Sequence, residues 1–266
     1  MRTWQQAIEA IRQVQTRKGR AAFGRFSIEG TRHIERALRA SVPLEQIVVA
    51  ESYWLSAENR AQSIRTTIEA STIPVAIAPD DAFKPLVGGR KLGAIVGLAP
   101  LLASPALTTL NAKSANPVYL VLVDIVEPGN VGAMIRTAHG LGATACVTIG
   151  SSDPFHPKAV RTAMGSSFKL PIVQFATVGE ALRELKAAEV TLYATVAEDG
   201  VALPHVAFAQ GPIGLLMGSE FYGLSAETVT SCDHPITIPM ARGIDSFSVS
   251  AAAAIVLYAA NRTMNT

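Results

Sequence analysis

The chain has 266 residues, 49% hydrophobic and 17% charged, with a net charge of +2. That is the composition of a globular protein with one large or two modest domains, and it excludes a disordered or fibrous chain. Two cysteines, Cys146 and Cys232, stand far apart without CxxC or Cys/His ligand spacing, so neither a disulfide framework nor a zinc site is indicated and a reducing, cytoplasmic setting is expected.

The first twenty residues place polar and charged side chains where a secretory leader needs an apolar run, so export is not expected. Residues 1–40 carry nine Lys/Arg against three Asp/Glu, a local balance of +6 inside a total of +2. A basic region on a near-neutral body fits a polyanionic partner, because clustered cations release the counterions condensed on nucleic acid; a solvated helix face would also carry such charges.

In chain order, apolar spacing predicts a helix over 27–41, a strand over 44–50, a helix over 57–71 and strands over 74–79 and 93–99. The uncharged run 92–112 has the length of a membrane span, but Gly, Ser, Thr, Asn and two prolines interrupt it, so no span is expected. Residues 104–117 (SPALTTLNAKSANP) lack periodicity and are expected to be a linker. The continuous apolar run 118–126 suits a parallel strand covered on both faces. Further strands are expected at 144–150, 170–176, 191–197, 213–220 and 235–241, separated by helices or loops, which implies a doubly wound sheet whose ligands sit beyond the carboxyl ends of its strands.

Several of those ends carry chemistry. The first runs through Pro128, Gly129 and Asn130 into a helix that bears Arg136. A second holds Gly218, expected to let a ligand approach the backbone, with Glu220 and Gly223 after it. A third closes on Pro239 and Met240 before Ser246, Ser248 and Ser250 lead into an Ala-rich helix, which Ser246 or Ser248 is placed to cap.

Together, DIVEPGNVGAMIRTAHGLGA, LLMGSEFYGLS and ITIPMARGIDSFSVSAAAAIVLY resemble, in order and spacing, the three motifs of the SpoU (TrmH) family of RNA ribose 2′-O-methyltransferases in the SPOUT superfamily. DPFHPKAVRTAMGSSFKLPI resembles that family's substrate loop, and RKGRAAFGRFSIEGTRHIERAL the start of its ribosomal-protein-like substrate-binding domain. The resemblance implies a small N-terminal α/β RNA-binding domain over 1–107 and a C-terminal parallel-sheet SPOUT domain over 116–266. It further implies a deep trefoil knot, S-adenosylmethionine as cofactor and a homodimer through the C-terminal domain.

Ribosomal RNA of the large subunit is expected as substrate ahead of transfer RNA; the alternative is a non-catalytic RNA-binding protein that keeps the fold. Carried over residue by residue, the catalytic set is Arg136, Asn130 and Glu220. The cofactor set is Gly218, Ile238, Met240, Phe247, Ser246 and Ser248. Phosphate contacts are expected from Arg17, Lys18, Arg20, Arg25, Arg32, Lys158 and Arg161, with His156 beside the last two in the substrate loop; His139 lies in the helix after the first motif, and His33, His205 and His234 are expected to be structural. One departure stands out: where the family has Ser-Leu-Asn, this chain has Ser246-Phe247-Ser248.

Overall fold

The structure is a computed structural model and describes residues 3–87 and 94–264. Arg2 of the basic N-terminal set and Gly93, which opens the predicted strand 93–99, lie outside the described residues. The chain divides into two compact units, Met1–Leu102 with Phe155–Phe168, and Ala103–Pro154 with Lys169–Thr266.

In the first unit β1 (Arg25–Glu29), β2 (Gln46–Ala50), β3 (Val75–Ala78) and β4 (Ile95–Pro100) form a sheet in the order β1-β4-β2-β3. β4 is antiparallel to both neighbours and β2 is parallel to β3. The predicted helix 27–41 is corrected here: its first residues belong to β1, and the helix covers Thr31–Arg39. Phe26 and Ile28 are fully buried, and Gly30, at φ 91°, takes a conformation that side chains avoid and so separates strand from helix. The helix Trp4–Gln13 starts at a reciprocal capping box between Thr3 and Gln6 and packs Ala7, Ile8 and Ile11 against Val48, Ala76 and Val96.

Phe155–Phe168 belongs to this first unit although it lies between strands of the second in sequence. Phe26 meets the rings of Phe155 and Phe168 at 4.9 and 6.5 Å. Arg161 forms an ion pair with the buried Glu29, and Arg36 donates to the Met164 carbonyl at 2.5 Å.

The second unit is a seven-stranded sheet of β5 (Val118–Val123), β6 (Ala145–Ile149), β7 (Ile172–Phe175), β8 (Thr191–Val196), β9 (Val201–Ala202), β10 (Ile213–Met217) and β11 (His234–Thr237). The order is β7-β6-β5-β10-β8-β11-β9, with every pair parallel. All six residues of β5 are buried, as a strand covered on both faces requires. Two expectations change. The linker contains a helix, Leu107–Asn111, because Leu107 and Leu110 are buried in the core of this unit. The last predicted strand stops at Thr237, ahead of Pro239, whose missing N–H cannot extend a ladder.

Candidate active site

The carboxylate that ends the first strand, Asp124, is structural. It adopts φ 52°, and its Oδ1 accepts from the Ser151 N–H at 2.8 Å, tying the ends of β5 and β6 together. It also fills the space over Gly150, where a Cβ would lie 2.2 Å from Oδ1. The chain then enters the helix Pro128–Gly140, with Glu127 as N-cap accepting from the Gly129 N–H at 3.0 Å and proline in the first turn, where its missing N–H costs nothing.

Asn130, in that first turn, donates from Nδ2 to Glu220 Oε1 at 2.8 Å, and its Oδ1 accepts from Ser250 Oγ at 3.3 Å. Glu220 Oε2 accepts from the Val126 N–H at 3.3 Å. One acid thereby holds together the segment after β5 and the segment after β10, and the C-terminal helix Val249–Met264 joins them through Ser250. The family resemblance placed Asn130 and Glu220 in one site, whereas Ser250, named only as leading into the C-terminal helix, is shown by the structure to donate to Asn130. Gly218 lines the cleft and has a packing reason to be glycine as well: a Cβ there would lie 2.1 Å from the carbonyl carbon of Gly223. The turn it serves is closed by Ser219 N–H to Gly223 O at 3.1 Å and Gly223 N–H to Ser219 O at 2.9 Å.

A cleft of about 430 Å³ opens beyond the carboxyl ends of β8, β10 and β11 and is lined by Gly218, Ile238, Met240, Ser246 and Phe247, together with Thr195–Ala197 and Leu224. It lies outside the carboxyl ends of strands in a parallel sheet, where ligands of such sheets usually sit. Apolar walls from Ile238, Leu224 and Phe247 suit a flat ring, and backbone groups at the strand ends suit its polar edge, so the residues fit an adenosyl group. Thr195–Ala197 carried no motif and could be found only once β8 was placed beside β10. Ser248 is not part of the lining; its Oγ accepts from the Ala251 N–H at 3.3 Å and caps the C-terminal helix.

Arg136 is exposed and does not line the cleft. Six residues at about 100° each set it roughly 120° around the helix from Asn130, so the two side chains leave on different faces.

The expected phosphate contacts separate. Arg17, Lys18, Arg32 and Lys158 are exposed. Arg20 is 3% exposed and donates to the carbonyls of Val14 and Gln15 at 2.8 and 2.9 Å, so it braces the N-terminal helices instead of meeting solvent. Arg161 is committed to Glu29, and Arg25 to Glu45 and the Phe23 carbonyl. His156 Nδ1 accepts from the Lys158 N–H at 3.1 Å and caps the helix Pro157–Thr162. Among the described residues no group of three His, Cys, Asp or Glu could hold a metal ion, and no helix is long and apolar enough to cross a membrane.

The SpoU rRNA methylase family model matches residues 117–258. The chain belongs to the SpoU rRNA methylase family. A model for an MRM3-like substrate-binding domain matches residues 5–83. The 23S rRNA (uridine(2479)-2′-O)-methyltransferase of Streptomyces viridochromogenes is 31% identical over 92% of this chain and 85% of its own length. The 23S rRNA (guanosine(2553)-2′-O)-methyltransferase RlmP of Bacillus subtilis is 27% identical over 95% of both chains. The crystal structure of the SpoU methyltransferase AviRb from S. viridochromogenes, in complex with AdoMet, superposes with a TM-score of 0.84 at 26% identity, covering 97% of this chain and 96% of that one. The cleft and the Asn130–Glu220 contact fall within the matched residues.

Proposed function

We infer that the chain transfers a methyl group from S-adenosylmethionine to a ribose 2′-hydroxyl of RNA, with ribosomal RNA of the large subunit as substrate. The observation that carries this reading is the cleft at the strand ends, with Asn130 and Glu220 hydrogen-bonded to each other in the segments after β5 and β10. Relatives named as 23S rRNA 2′-O-methyltransferases support ribosomal RNA. When bound, the cofactor supplies an electrophilic sulfonium methyl; Ile238, Leu224 and Phe247 would cover its adenine and the backbone near Gly218 and Met240 would receive its polar edge.

Glu220 orients Asn130 through Nδ2 and fixes the turn after β10. Arg136 acts on the substrate. Its guanidinium cation stabilises the negative charge that develops on the 2′-oxygen as the hydroxyl proton leaves to water, and grips the adjacent phosphate. Its direction away from Asn130 supports a homodimer through the C-terminal unit in which Arg136 of one copy serves the cleft of the other.

Arg17, Lys18, Arg32 and Lys158 hold RNA phosphates, which the +6 balance of residues 1–40 and the match to a substrate-binding domain support. A deep trefoil knot in the second unit is part of this reading, supported by the match to the SpoU family model. Cytoplasmic residence follows from a ribosomal substrate. Ser248 does not favour a non-catalytic reading, since serine and asparagine cap helices about equally well. The test is transfer of labelled methyl from S-adenosylmethionine to 23S rRNA fragments, mapped as alkali-resistant 2′-O-methyl linkages. Label appearing on a base or on no RNA overturns the reading.

A further inference from the structure

The two residues after Glu220 are aromatic and almost wholly in solvent: Phe221 is 82% and Tyr222 92% exposed. Large apolar rings are normally buried, so two adjacent ones held outside mark a surface kept for contact. They are not on a slack loop. The turn is closed by reciprocal backbone hydrogen bonds between Ser219 and Gly223, Tyr222 N–H donates to Ser219 Oγ at 3.2 Å, and Gly223 takes φ 65°. On its inner side Gly218 touches the turn so closely that no side chain fits. Glu220, between Ser219 and the rings, is anchored to Asn130 and the Val126 N–H. Both rings line the rim of the cofactor cleft.

Sequence-specific recognition of RNA falls mostly on unpaired loops and bulges, whose bases are splayed out and have lost part of their stacking. The target base is attached to the ribose that is methylated, so it must come to rest within one nucleotide's reach of the methyl donor. We propose that Phe221 and Tyr222 form the platform on which the target base, or the base next to it, stacks while its ribose faces the cleft. This rests on the methyltransferase reading above and adds the subsite for the base. A pre-set aromatic surface replaces the lost stacking without selecting a particular base, because every base has a π-face, and the Tyr222 hydroxyl is left to hydrogen-bond a base edge or phosphate.

The experiment compares wild type with Phe221→Ala, Tyr222→Ala and the conservative Phe221→Trp and Tyr222→Phe. It measures single-turnover methyl transfer to the mapped 23S fragment, S-adenosylmethionine affinity by calorimetry, and mass by sedimentation. The alanine variants should lose about ten- to hundred-fold in transfer, the size expected from one stacking contact. Trp and Phe should keep most of it, with cofactor affinity within a factor of three and mass unchanged. On a fragment made abasic at the methylated nucleotide and its neighbours, wild type and alanine variants should become equally slow. Wild-type rates in the alanine variants overturn the platform. So does an equal loss of cofactor affinity, which assigns the rings to the cofactor, or a fall in mass, which assigns them to a subunit contact. If wild type itself methylates no RNA, the methyltransferase reading fails instead.

Discussion

In the first unit Glu29, 3% exposed, closes on Arg161 and accepts from Gln15, while Arg20 and His33 are buried against backbone carbonyls. In the second, Asn130 and Glu220 sit half-buried and hydrogen-bonded to each other, and Arg136 stands exposed with no partner among the described residues. Both sets are charged and polar residues in helices or at strand ends. What separates them is whether burial has already saturated their donors and acceptors. A saturated cation holds the fold together, whereas an unsaturated one on a rigid helix is available to a substrate.

The sharpest way to break that contrast is Arg161→Ala. Removing one partner of a buried ion pair strands the other, here Glu29, at a cost of about 3–5 kcal/mol. Both tryptophans, Trp4 and Trp54, lie in the first unit, so urea unfolding followed by tryptophan fluorescence reports it selectively. Replacing both partners together with apolar residues, Glu29→Leu with Arg161→Met, should recover most of the loss. An Arg161→Ala midpoint equal to wild type would move Arg161 back among the residues available to RNA.

Arg136→Ala should show the opposite pattern, an unchanged unfolding midpoint and a fall of about 10²–10³ in single-turnover methyl transfer, as for loss of one charge-stabilising donor. Cofactor affinity should be unaffected, and lysine should rescue only partly because a point charge lacks the planar fork that spans phosphate and hydroxyl. Mixing Arg136→Ala subunits with subunits damaged at the cleft should restore activity if Arg136 serves the other copy's site. Wild-type turnover in Arg136→Ala would show that exposure alone does not mark function here.

His33 sharpens the contrast through pH. Burial holds its pKa below the ordinary 6.5, aided by the positive charges of Arg36 and Arg161, against the carbonyls of Glu29 and Arg161 that would favour the charged form. The folded state therefore takes up its proton at lower pH than the unfolded chain. Its contribution is fully present above about pH 6.5 and is lost as pH falls towards the folded pKa, by at most about 1.4 kcal/mol per pH unit. The tryptophan-detected midpoint should drop between pH 6.5 and 5, and less so in His33→Gln. Equal slopes in the two proteins would remove His33 as the cause.

These differences also mark what was legible in the sequence. The parallel sheet was legible because runs such as Val118–Val123 are apolar throughout, and Asn130 and Glu220 were legible as site residues because each stands in a stretch that resembles a SpoU-family motif. β1 was hidden because the helical repeat of Ile34, Ala37 and Leu38 was extended backwards over Ile28, and the break between strand and helix is one glycine at positive φ. The burial of Arg20 and the attachment of Phe155–Phe168 to the first unit were not legible. The attachment depends on contacts between residues distant in sequence, and an arginine buried against carbonyls five and six residues back looks the same in sequence as one facing solvent.

The smallest effect is expected at Ser248, where cap and site meet. Its Oγ accepts from the Ala251 N–H, its carbonyl from the Ala252 N–H at 3.0 Å, and its side chain is exposed. Serine and asparagine are near-equal N-caps, so Ser248→Asn should change stability by no more than a few tenths of a kcal/mol, whereas Ser248→Ala should cost about 1 kcal/mol in the second unit. Residues 241–248 are all exposed, so the larger amide meets no packed wall and overpacking is not expected. Methyl transfer by Ser248→Asn should accordingly equal or modestly exceed wild type, the added reach being able to restore a hydrogen bond that serine is too short to make. Circular dichroism melting and single-turnover transfer separate the two roles. A several-fold fall in transfer by Ser248→Asn at unchanged melting would mean that the hydroxyl itself contributes to the site, and Ser248 would then join Asn130 and Arg136 on the functional side of the contrast.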